Sequence, residues 1–245
     1  MKLLLTSNGI TNQSIHRALV GLLGKPIADS NALFIATGMY PYPGGAGYAW
    51  RAIAGKSHHP ACEMGWKSFG NLELSVLPSI DKEVWQPAVA ATDAILVYGG
   101  DPVFLAYWMR VVGLADVIGP QTVYVGTSAG SMVASSTIGE MFTDPRRANG
   151  EPLSTESVVL PDGAITRTFM TARGMGWVDF ALIPHYCAAE YHPDASEANA
   201  KVWASKIPLR TYAIDDDTAI KVTGGDVEII SEGQWKLFDL ESATR

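Results

Sequence analysis

The chain has 245 residues, 47% hydrophobic and 18% charged, a composition that gives a sizeable core and excludes a disordered chain. A net charge of -7, with Arg146-Arg147 as the longest basic cluster, excludes the grouped Lys and Arg that nucleic acid or an acidic membrane surface requires. Cys62 and Cys187 form no CxxC pair and read as free thiols, no apolar run reaches the roughly 18–20 residues of a membrane span, and Leu3–Leu5 is too short for a signal peptide, so the expected location is cytoplasmic.

Short apolar runs alternate with amphipathic stretches through the first two-thirds. Leu3–Thr6 predicts a strand ending at Ser7-Asn8-Gly9. Ile15–Leu23 has helical spacing, with Ile15, Leu19, Leu22 and Leu23 on one face. Ala32–Ala36 predicts a second strand, Pro41–Gly47 a loop, and the stretch through Trp50 to Ile53 a helix. Leu72–Leu77 predicts a third strand and Asp81–Thr92 a helix with Asp81 at its N-cap. Ala94–Tyr98 is continuously apolar and ends at Gly99-Gly100. Asp101 and Pro102 then suit the cap and first turn of a helix running to about Leu114. Thr122–Val125 predicts the next strand, followed by Gly126-Thr127-Ser128-Ala129-Gly130 and a helix carrying Met132, Val133 and Ala134.

Later, Phe180–Pro184 predicts a strand, Glu197–Ile207 a helix and Thr211–Ile214 a strand. Thr218–Phe238 alternates with turn signals at Gly224-Gly225 and Glu232-Gly233, as antiparallel hairpins do. Unbroken apolar strands alternating with helices imply an α/β fold: a mostly parallel central sheet with helices on both faces, with antiparallel hairpins at the C-terminus. The whole chain, 1–245, reads as one domain. Sites in such sheets lie outside the carboxyl ends of the strands, which points to the loops after Tyr98 and Val125.

Gly126-Thr127-Ser128-Ala129-Gly130 matches the Gly-x-Ser-x-Gly nucleophile elbow. A strand that reverses into a helix within a few residues forces its central residue into a strained conformation, and flanking glycines remove side chains that would clash. Ser128 is therefore the candidate nucleophile. A hydroxyl at its ordinary pKa needs a base. Of five histidines, His185 follows an apolar strand directly and is the candidate base. His16 lies on an amphipathic helix, His58-His59 in a loop without metal partners at ligand spacing, and His192 in a loop. Acids between Ser128 and His185 are Glu140, Asp144, Glu151, Glu156, Asp162 and Asp179, with Asp144 and Glu140 soonest after the elbow. Ala129 N–H and a donor at Gly99-Gly100 are candidates for an oxyanion hole. Gly99 and Asp101 are candidate substrate contacts. No cofactor or metal is expected.

Taken in order, Leu4-Leu5-Thr6-Ser7-Asn8, Val97-Tyr98-Gly99-Gly100-Asp101, Gly126-Thr127-Ser128-Ala129-Gly130-Ser131, Ile183-Pro184-His185-Tyr186 and Ala213-Ile214-Asp215-Asp216 resemble the peptidase E family of serine peptidases, which includes cyanophycinases and alpha-aspartyl dipeptidases. The resemblance implies a class I glutamine amidotransferase-like fold with Ser in place of Cys at the elbow. It implies Ser128 as nucleophile, His185 as base, and Gly100 with Ala129 as oxyanion donors. It favours Asp144 as the acid, about fifteen residues past the elbow, with Glu140 as the alternative. The implied partner is a small peptide, with a homodimer compatible.

Family members that prefer an N-terminal aspartate resemble one another in an Arg soon after the histidine, whereas Tyr186–Ala200 contains no Arg or Lys. Asp144–Arg173, with Arg146, Arg147, Arg167 and Arg173, and the Pro41–Gly47 loop are then the candidate sources of a different pocket. Two other readings share the elbow. One is an esterase or amidase of the alpha/beta-hydrolase type, disfavoured because a helix and several strands follow His185. The other is a catalytically silent binding protein on the same scaffold.

Overall fold

A computed structural model describes residues 1–142, 151–160, 163–188, 190 and 192–240. The first half alternates strands and helices: β1 (Lys2–Thr6), α1 (Gln13–Leu23), β2 (Asn31–Ile35), α2 (Gly45–Ile53), β3 (Ser68–Asn71), α3 (Lys82–Ala90), β4 (Ala94–Val97), α4 (Pro102–Val111), α5 (Leu114–Val117), β5 (Val123–Thr127) and α6 (Ala129–Met132). The second half holds β6 (Thr137–Phe142), β7 (Glu151–Leu160), β8 (Gly163–Arg173), β9 (Phe180–Ile183), α7 (Glu197–Ala204), β10 (Arg210–Ile214), β11 (Thr218–Thr223), β12 (Asp226–Ser231) and β13 (Trp235–Phe238).

The central sheet has the order β12-β11-β1-β5-β4-β2-β3. Its β1, β5, β4, β2 and β3 run parallel, and β11 and β12 join antiparallel. All four residues of β4 are buried, as a strand covered on both faces requires. Alternate residues feed two cores. Ile95, Val97 and Tyr124 pack with α3, α4 and α6, while Leu96 and Val125 pack with α1 and α2. On α1 the predicted face buries Ile15, Leu19 and Leu22, and Asn12 caps it by accepting from Ile15 N–H at 3.0 Å.

Four expectations change. Leu72–Leu77 is not a strand. Leu74–Ser79 is a 3₁₀ helix, whose three-residue turn puts Leu74 and Leu77 on one buried face, and the strand lies earlier at β3. The helix after the elbow is only four residues long. Between the elbow and His185, where no strand is expected, β6, β8 and β7 form an antiparallel sheet. Finally, β13 does not extend the β11–β12 hairpin. It pairs with β10, which also pairs in parallel with β9, in a second sheet of order β13-β10-β9.

Candidate active site

Topology brings four chain segments to one edge. Thr6 of β1 pairs with Thr127 of β5, so Ser7 and Ser128 leave the sheet side by side. Thr6 also pairs with Ala219 of antiparallel β11, so Asp216 arrives at the same edge just before that strand begins. Ile183 of β9 pairs with Ala213 of β10, and Tyr186 N–H donates to Ile214 O at 3.0 Å, so His185 and Asp216 leave neighbouring strands together.

Ser128 has φ 52° and ψ -116°, a conformation that costs a non-glycine residue on the order of 1–3 kcal/mol and persists only where the surroundings over-determine it. Those surroundings are tight. Ser128 N–H and the Ser131 hydroxyl both donate to Thr6 O, at 3.0 and 2.7 Å. The Tyr124 hydroxyl donates to Gly130 O at 2.6 Å. A Cβ on Gly126 would sit 2.6 Å from Gly130 O, and one on Gly130 would sit 2.1 Å from Val97 O. Both glycines of the motif are therefore demanded by backbone contact.

The Ser128 hydroxyl lies 3.0 Å from His185 Nε2, and His185 Nδ1 lies 2.9 Å from Asp216 Oδ1. Because a carboxylate only accepts, the proton sits on Nδ1 and leaves Nε2 free to accept from Ser128. His185 itself has φ 58°. Its N–H donates to the Ser7 hydroxyl at 2.7 Å, and Ser7 donates to Asp216 Oδ1 at 2.6 Å. Asn8 Nδ2 donates to Asp216 Oδ2 at 3.1 Å. Burial opposes charge on Asp216, but the bonds from His185 and Ser7, the charge of His185 and the bond from Asn8 outweigh it and hold the carboxyl below the usual carboxylate range. The His192 ring stacks on His185 with centroids 4.3 Å apart.

The carboxylate at His185 Nδ1 is thus Asp216, which lies C-terminal to the base rather than between Ser128 and His185. Asp144 falls outside the described residues. Glu140 belongs to β6, paired with Met170 in a different sheet. Asp101, expected as a substrate contact, is buried and caps α4, its Oδ1 accepting from Val103 and Phe104 N–H at 3.0 Å. Gly99 lies against the nucleophile: a Cβ there would be 3.3 Å from Ser128 Cβ. Gly100 has φ 122°, and a Cβ would sit 2.1 Å from Gly38 O, so only glycine fits. Ala129 opens α6, where an N–H has no partner within the helix. A helix of four residues has no long macrodipole to offer at this turn.

The Peptidase family S51 profile matches residues 3–230. The chain belongs to peptidase family S51. It is therefore a serine-type peptidase, a hydrolase, and the family assignment sets aside the esterase reading of the elbow. Two solved structures share the fold of this S51 member. A provisionally assigned peptidase E protein from Listeria monocytogenes EGD-e is 17% identical, with TM-score 0.59, covering 95% of this chain and 98% of that one. A peptidase from an acI-B1 Actinobacterium is 17% identical, with TM-score 0.60, covering 98% of this chain and 94% of that one. No curated protein gives a significant match. Among the described residues of this S51 chain, no helix is long and apolar enough to cross a membrane.

Proposed function

We propose that this serine peptidase hydrolyses short peptides, in the manner of a dipeptidase, through an acyl-enzyme on Ser128. The observation that carries the reading is the unbroken chain from Ser128 Oγ to His185 to Asp216, with both links at hydrogen-bond length. His185 Nε2 takes the hydroxyl proton as Ser128 attacks the scissile carbonyl, and returns it to the departing amine. Asp216 holds the imidazole in its working tautomer and stabilises the transient imidazolium. Gly100 and Ala129 N–H groups are the assigned donors to the developing oxyanion. Water then repeats the sequence on the ester and frees the acid product. A silent binding scaffold has no call for a base in direct contact with a strained serine.

An Asp-Xaa substrate finds no support after the base, because Tyr186–Ala200 contains neither Arg nor Lys to clamp its carboxylate. The test of the mechanism is Ser128→Ala. The variant is expected to lose both peptide turnover and covalent labelling by a fluorophosphonate while its thermal unfolding stays close to that of the parent. Full activity in that variant would end the proposal.

A further inference from the structure

The carboxyl edge of the central sheet opens into a pocket on the face packed by α1 and α2. The pocket and its open mouth together hold about 540 Å³ of empty space. The floor is apolar: Phe34, Ala52, Leu96 and Val125, all buried. His58 and His59 stand at the exposed rim.

Three wall residues tie the pocket to the triad. Thr127 is joined by a peptide bond to Ser128, and Tyr98 likewise to Gly99 beside the nucleophile. Asn8 lines the pocket and donates to Asp216. The expected sources of a pocket, Pro41–Gly47 and Asp144–Arg173, contribute no residue to this lining among those described. Nor does any Asp, Glu, Lys or Arg line it among the described residues. Burial pushes the Tyr98 phenol up, so that it too stays neutral. An ammonium entering here would lose water and gain no counter-charge, and a carboxylate on the floor would be met by none short of the rim histidines, whereas an apolar group would lose nothing.

We propose that this pocket receives an apolar substrate side chain of leucine, methionine or phenylalanine size, next to the scissile bond. The inference rests on the serine-peptidase reading of Ser128 and adds the substrate class to it. It places selectivity on the loop of residues 57–64 and on the floor of the sheet.

A dipeptide matrix with both residues varied tests it. For the parent, kcat/KM is expected to be at least about tenfold higher with Leu, Met or Phe than with Asp, Lys or Gly at one of the two positions, since buried methylenes discriminate by roughly 10–200-fold each. Ala52→Phe fills the floor and is expected to cut the ratio of Phe to Gly substrates about tenfold or more. Ser57→Trp fills the pocket from its loop and serves as the second variant should Ala52→Phe fail to fold. Fluorophosphonate labelling of Ser128 is followed throughout. Intact labelling with an acidic or flat preference, or an apolar preference unchanged in the folded variants, overturns the pocket alone. Absence of labelling in the parent overturns the underlying mechanism and the pocket with it.

Discussion

Asp216 is half-buried, yet it is held in its charged form because each of its oxygens is already occupied: Oδ1 by His185 and Ser7, Oδ2 by Asn8. That arrangement makes its replacement diagnostic. Asp216→Asn keeps the shape but offers Nδ1 an amide that can donate, so the imidazole is free to take the wrong tautomer. A fall in kcat of roughly 10³–10⁴-fold is expected, with the overall fold retained by circular dichroism. Glu140→Gln, on β6, is expected to leave kcat near the parent value. The reverse result, a large loss in Glu140→Gln and a small one in Asp216→Asn, would return the acid to the segment after the elbow. Ser128 and His185 were legible in sequence because each follows an apolar strand that ends at a site edge. Asp216 also follows one, Tyr212-Ala213-Ile214, but it stands after the base in the chain, outside the Ser, acid, His order that an elbow hydrolase suggests. The chain order Ser, His, Asp is set by the pairing of β9 with β10 and β11 with β1, which no local pattern reveals.

At the scale of elements, the elbow works because β5, α6 and the end of β4 approach at backbone contact. Gly130→Ala would place a methyl 2.1 Å from Val97 O and 3.1 Å from Tyr98 O, both backbone atoms that no rotamer change relieves. A destabilisation of about 1–3 kcal/mol is expected, read as a lower thermal midpoint at roughly 2–4 °C per kcal/mol, together with lost turnover as the oxyanion donors part. Gly21→Ala is the matched control. It sits within α1, exposed, and a Cβ there meets nothing within 4 Å. A gain of about 0.5–1 kcal/mol is expected from helix propensity alone. A Gly130→Ala variant as stable as Gly21→Ala would refute the contact argument. Elements with long apolar runs were readable from sequence, and β4, β5 and β9 fall within one or two residues of expectation. The segment Leu72–Leu77 was not, because a leucine spacing of three suits a 3₁₀ turn as well as a short strand. Between β7 and β8 the sequence carries Asp162-Gly163, a hairpin signal, but the flanking runs are too polar to stand out as the apolar strands do.

For the whole molecule, the two sheets meet at the charged group that completes the site, so its titration links stability to chemistry. The folded-state pKa of Asp216 lies below the ordinary value, so the fold prefers the carboxylate. Its contribution is therefore fully present above the ordinary carboxylate pKa and is lost as pH falls through the lowered one. Asp93, Glu197 and Glu232 are lowered too, so acid destabilises the chain generally and the parent curve cannot isolate Asp216. The difference between parent and Asp216→Asn can. By urea unfolding the parent is expected to be the more stable at pH 7, because the amide meets a network built to donate to a carboxylate. That gap is expected to narrow as pH falls below about 4, where the parent's own carboxyl begins to take up a proton. His192 acts in the same direction at higher pH. Burial first, and then the neighbouring His185, lower its pKa against the opposing pull of Asp194, so the fold prefers it neutral and its contribution fades as pH falls below about 6.5. A gap between parent and Asp216→Asn that stays constant from pH 7 to pH 3 would show that the charge of Asp216 is not what joins β9, β10 and β1 at the site.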